Sequence, residues 1–137
     1  MTSINLYTAI IRSTPKDIHA FMVNALVWFH RVIEQNPLLT IDEYHFRLAL
    51  DELLTNALHH GNANDSRAAI KVTISNTENN MNITVSDEGK GFREIPDPKC
   101  EENMFKQHGR GLCMLNSFGN VHWDDVMGCT RFDFDEQ

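Results

Sequence analysis

Asp51-Glu52-Leu53-Leu54-Thr55-Asn56-Ala57-Leu58-His59-His60-Gly61-Asn62 is the stretch on which the reading of the fold turns. It continues a run from Ile41 to Leu50 that already has helical periodicity. At about 100° per residue, Phe46, Leu50, Leu53, Leu54, Ala57 and Leu58 collect on one broad side and predict a core-facing helix. Glu52 and Asn56 are four apart and stack one turn above each other on a different face. A carboxylate and a carboxamide in that register can hold a cation-bound ligand, although the same pair alone is a common solvated face. Gly61 is expected to end the helix, as a C-terminal glycine does.

Outward from this helix, three further segments carry signals. Asp87-Glu88-Gly89-Lys90-Gly91-Phe92 follows an alternating run, Met81, Ile83 and Val85, so Asp87 falls at a strand end. Its carboxylate can accept from an amino group while Gly89 and Gly91 let the backbone approach a flat base. Read alone, the segment is more simply a tight turn. Gly109-Arg110-Gly111 precedes Leu112-Cys113-Met114-Leu115, which puts bare amides at a helix N-terminus where anions are favoured. Arg110, Lys106 and His108 add positive charge nearby. The P-loop pattern Gly-x-x-x-x-Gly-Lys-Ser/Thr is absent, so any phosphate cradle must be built another way.

The remaining elements follow from pattern. Ile4 to Arg12 alternates and predicts a first strand. Ser13-Thr14-Pro15 is a helix-capping turn with Asp17 in the first turn behind it. Ile18 to Gln35 carries Phe21, Met22, Ala25, Leu26, Phe29, Val32 and Ile33 at helical spacing, with Trp28 off the stripe and available to a partner. Asn36-Pro37 breaks that helix, and Thr40 or Asp42 starts the next. Ala69 to Ser75 alternates as a strand, and Asn76 to Asn80 turns it into Met81–Val85. Arg93 to His108, with Pro96 and Pro98, reads as a mobile flap. Arg110 to Phe118 is expected to be helical, and Val121–Trp123 with Thr130–Phe134 to form a last hairpin turning near Gly128. The order predicts one domain over residues 1–137: an α/β (α+β) two-layer sandwich with a mixed, mostly antiparallel sheet covered by helices on one face.

Composition bounds the function. A formal net charge of −7 over 137 residues argues against a sequence-independent grip on nucleic acid. No apolar run approaches a membrane span, and Met1 to Arg12 lacks the apolar core of a signal peptide, so a cytoplasmic protein is expected. Cys100, Cys113 and Cys129 are odd in number with no Cys-x-x-Cys pair, which predicts free thiols. His59 and His60 diverge by about 100° on a helix and do not suit a shared transition-metal ion.

A helix with Glu52 and Asn56, then Asp87-x-Gly89-x-Gly91, then Gly109-x-Gly111 opening a helix resembles the GHKL ATPases. Within that superfamily, the short chain and the flap (Ile95-Pro96-Asp97-Pro98, Glu102-Asn103-Met104) are similar to the anti-sigma-factor serine/threonine kinases. The resemblance runs from about Leu48 to Phe132. It implies a histidine-kinase-like ATPase fold with an ATP lid at about 93–108, and ATP and Mg²⁺ as ligands. It assigns Glu52 as the catalytic base, Asn56 as the Mg²⁺ ligand and Asp87 as the adenine acceptor. Gly89, Gly91, Gly109, Arg110, Gly111, Leu112 and, at the adenine end, Thr130 complete the implied nucleotide contacts. The implied partners are a STAS-type anti-sigma-factor antagonist that is phosphorylated, and a sigma factor or analogous target that is bound. A homodimer is expected by analogy, with neither nucleic acid nor membrane bound directly. A nucleotide-binding regulatory module without kinase activity and an ATPase doing conformational work are the other readings. The chain departs from its relatives at Phe118-Gly119-Asn120-Val121, where many carry an acidic segment, and in its acidic end, Asp133 to Gln137.

Overall fold

The structure is a computed structural model that describes residues 5–61, 65–87, 112–124 and 128–135. Five strands form one sheet in the order β1-β2-β3-β5-β4. They are β1 (Asn5–Arg12), β2 (Ala69–Asn76), β3 (Met81–Asp87), β4 (Gly119–Asp124) and β5 (Cys129–Phe134). Each of the four pairings is antiparallel, so the expected mostly antiparallel sheet has no parallel pair among the described strands. Helices α1 (Pro15–Gln35) and α2 (Glu43–Asn56) complete the second layer.

Alternation decides which face the helices cover. Ile70, Val72 and Ile74 from β2, Ile83 and Val85 from β3, and Phe132 and Phe134 from β5 are all buried. The opposite residues of the same strands, Lys71, Thr73, Asn82, Thr84 and Arg131, are polar and lie on the open face. A sheet with one wet face reads this clearly because every second residue must be apolar.

Both helices start where their caps dictate. Thr14 accepts from the Asp17 amide at 3.1 Å, and Pro15 occupies the first turn, where its missing N–H costs nothing. Asp42 accepts from the His45 amide at 2.7 Å and sets the start of α2. From α1, Ile18, Phe21, Ala25, Phe29 and Val32 are buried. Phe29 stacks on Phe46 of α2 with ring centroids 4.2 Å apart, at the centre of the layer. Trp28 is not free for a partner: it is half-buried and packs on Tyr7 of β1 at 5.7 Å.

The last third differs in detail from the expected pattern. Helix is present at 112–115, then residues 116–118 close in tight turns. The amides of Asn116, Ser117 and Phe118 donate to carbonyls three residues back, and the Ser117 hydroxyl donates to the Met114 carbonyl at 2.7 Å. Short polar side chains that bond their own backbone compete with helix, which is why this one stops early. At Gly119 a Cβ would lie 2.2 Å from the Phe132 ring and 2.5 Å from the Asp133 carbonyl, so β4 reaches its neighbour only without a side chain there. Gly128 closes the β4–β5 turn in the left-handed region, φ 65°, with its amide on the Asp124 carbonyl. Cys129 is a buried free thiol, whereas Cys113 is disulfide-bonded, which corrects the expectation of free thiols at that position. Pairing depends on distances between segments, and spacing along the chain did not carry it.

Candidate functional site

The central helix is built as two pieces. Regular α-helix ends at Asn56, and Ala57–Gly61 follows as a single π-turn rather than as the last α turn expected before Gly61. The Ala57 amide is shared between the Leu53 and Leu54 carbonyls at the junction. A π-turn inserts one residue into the helical phase and recurs at functional positions. Apolar burial continues through it, since Ala57 and Leu58 remain in the core. This turn and the end of α2 pack against β3, the strand that ends in Asp87.

Asn56 is only 4% exposed, although it lies off the apolar stripe of the helix. Its Nδ2 donates to the Glu52 backbone carbonyl at 2.8 Å. That bond fixes the amide's orientation and leaves Oδ1 as the atom it can present to a ligand. Glu52, one turn earlier, is half-buried. Burial first, and the neighbouring Asp51 carboxylate second, hold its pKa above the ordinary glutamate value. A carboxyl raised in this way is a better proton acceptor near neutral pH than a solvated one.

Sheet register brings two more residues to the same side. Val85 lies opposite Thr130 across the β3–β5 pairing, and Asp87 is two residues further along β3. Asp87 and Thr130 are therefore diagonal neighbours, about 7–8 Å apart, on the helix-covered face. Thr130 is buried and Asp87 half-buried. Leu112 is buried in the core at the start of the 112–115 helix. Gly89, Gly91, Gly109, Arg110 and Gly111, together with the flap at 93–108, lie outside the described residues.

A separate groove of about 910 Å³ runs between α1 and α2. Met22, Leu26, Leu48 and Leu58 line it, with Asp51 and Thr55 at its edge, while Glu52, Asn56, Asp87, Leu112 and Thr130 do not. It is the other flank of α2. Asp51 and the π-turn are what sequence reasoning missed; the acidic pair Asp51-Glu52 was visible as a like-charge neighbour, and nothing in the composition of Ala57–Gly61 signals a widened turn.

The raised Glu52 pKa has a consequence for pH. Where Glu52 must be ionised to accept a proton, activity falls as pH drops through its pKa, so the acid limb lies above that of an ordinary glutamate. Asp51→Asn removes one of the two causes and moves that limb to lower pH, while the part due to burial stays. A pH–rate profile of the two proteins side by side measures the displacement.

The histidine kinase-like ATPase domain model matches residues 17–127. Two curated relatives, both anti-sigma F factors of Clostridium botulinum (strains Eklund 17B and Alaska E43), are 29% identical to the chain over 86 residues. The matched part covers 58% of this chain and 59% of each relative's length.

Proposed function

The chain belongs to the histidine kinase-like ATPase domain family, and from that premise we propose that it is an ATP-dependent serine/threonine protein kinase acting as an anti-sigma factor in a partner-switching system. One observation carries the reading. A half-buried carboxylate of raised pKa, Glu52, stands one turn before a buried amide, Asn56, whose orientation the helix backbone holds. Nucleotide binding alone has no need of such a base.

In the proposed reaction Asp87 accepts from the adenine amino group, with Thr130 beside it at the same end. The Asn56 oxygen fits a magnesium ligand, because that ion takes few protein oxygens and keeps water and phosphate as the rest. Magnesium, when bound, neutralises charge on the phosphates. Glu52 takes the proton of the attacking hydroxyl as the new oxygen–phosphorus bond forms and the bond from the γ-phosphorus to the bridging oxygen breaks, leaving ADP. The acceptor is a serine or threonine of a STAS-type antagonist. The added phosphate charge at the contact surface releases the antagonist and returns the kinase to its sigma factor or analogous target. The names of the two relatives, anti-sigma F factors, support the choice of a sigma factor as the target.

The test follows the γ-phosphate. With labelled ATP, magnesium and an antagonist domain from the same genome, label is expected on serine or threonine of the antagonist. Label recovered only as free phosphate removes the kinase reading and leaves an ATPase; tight binding with no turnover leaves a regulatory module.

A further inference from the structure

Phe118 sits where three elements of the candidate site meet. It closes the segment that begins with Leu112, and its carbonyl accepts from the Asp135 amide, just past β5, at 3.1 Å. Its ring packs edge-on against Phe132 at 5.6 Å and tilts over Phe134 at 6.2 Å, both on β5. One face of the ring is covered from α2. There the imidazole of His45 lies flat on it, with centroids 4.3 Å apart and planes 18° from parallel. α2 also carries Glu52 and Asn56, β5 carries Thr130, and the segment behind Phe118 carries Leu112.

The imidazole is itself held. Asp42 accepts the His45 amide on one carboxylate oxygen at 2.7 Å, and Nδ1 of the ring lies 3.3 Å from the other. One carboxylate thus caps the helix and orients the ring. Beside the stack, a cavity of about 110 Å³ lined by Thr40, Ile41, Asp42, His45, Phe118 and Phe134 leaves the phenyl without close packing on that side. Residues 112–118 are tied to one another, since the Asn116, Ser117 and Phe118 amides donate three residues back. The Asn116 side chain also accepts the Val121 amide at 3.3 Å. A displacement of Phe118 is therefore passed on to Leu112 instead of being absorbed between them.

We infer that His45 is a positioning residue for nucleotide binding: through Phe118 it fixes the 112–118 segment relative to α2, and so sets Leu112 against Glu52 and Asn56. It does not touch the reacting atoms, because it precedes Glu52 by seven residues, about 10 Å along the helix. Without the stack, the segment spends part of its time in other placements, and binding must restore the competent one. The apparent affinity then falls in proportion to the fraction of molecules that hold that placement. What the site needs from residue 45 is the face of a ring. The inference rests on the reading of Asn56, Leu112 and Thr130 as nucleotide contacts, and not on the identity of the phosphate acceptor.

Three variants of the full chain test it, each read by ATP titration and by hydrogen exchange of the amides of residues 112–118 without nucleotide. His45→Ala keeps the cap of α2, which uses the backbone amide. It is expected to weaken ATP binding about three- to tenfold, the worth of one aromatic pair, with faster exchange across the segment. His45→Phe keeps a ring on Phe118 and is expected to stay close to the unaltered chain in both measurements. His30→Ala removes the partner of Glu43 from the same first turn of α2 and is expected to change neither. Unchanged affinity in His45→Ala overturns the inference, whatever the exchange shows. So does a His45→Phe variant as impaired as His45→Ala, which would make the Asp42 contact responsible rather than the stack. An equal loss from His30→Ala also overturns it, because α2 would then merely have loosened. An unaltered chain that binds no ATP removes the nucleotide reading and this inference together, and it does so before any substitution is made.

Discussion

Replacing Glu52 by glutamine is expected to lower phosphoryl transfer by about 10²–10⁴-fold, the range over which a positioned general base acts, while nucleotide affinity changes little. Glutamine keeps the size and a hydrogen-bonding carbonyl but cannot take a proton. The side chain is half-buried, and the backbone carbonyl that holds Asn56 in place belongs to residue 52 whatever its side chain. The amide of Asn56 therefore keeps its orientation, and binding and transfer separate in the variant. Measuring ATP affinity by titration and transfer by single turnover on one preparation makes the distinction. Transfer at the unaltered rate would remove Glu52 from the mechanism; loss of both would make its role structural.

The second large effect is on stability. Phe46→Ala is expected to cost about 3–5 kcal/mol, the usual loss for a buried phenylalanine. Phe46 has no solvent exposure and stacks on Phe29, so the truncation empties the junction of α1 and α2 rather than a margin that could collapse. Set against a total of roughly 5–15 kcal/mol, that is a large share, with a melting temperature lower by roughly 10–20 °C. Leu6→Ala serves as the comparison in thermal melts of dilute protein, because its side chain is mostly exposed. Equal losses from the two would mean that the stacked pair is not the centre of the core.

Much of this architecture was legible before the structure. β2 alternates so cleanly that Ile70, Val72 and Ile74 could be assigned to the inside, and each is fully buried. Thr14, Pro15 and Asp42 marked helix starts because capping is a local bond between residues three apart. The placement of Asp87 at a strand end also followed from local alternation. What escaped were properties set by packing. Asn56 is polar and lies off the apolar stripe, yet it is buried where the end of α2 and the π-turn pack against β3. Trp28 looked spare on a helical projection, but the stripe on α1 widens where β1 brings Tyr7 beneath it. Thr130 could be named only through resemblance; its nearness to Asp87 is a matter of register between strands more than forty residues apart in sequence.

That seam between β3 and β5 has a consequence for how the chain acquires its shape. β1 to β3, with both helices, make a nearly contiguous first part, whereas β4 and β5 are a hairpin that pairs locally and joins the rest along one line of backbone bonds. Such a distant junction has the larger closure entropy to overcome and the least local help. Asp87 and Thr130 stand on its two banks. A molecule gripped by both acts as a clasp across the junction and holds the terminal hairpin in place, so occupancy and completion of the sheet favour each other.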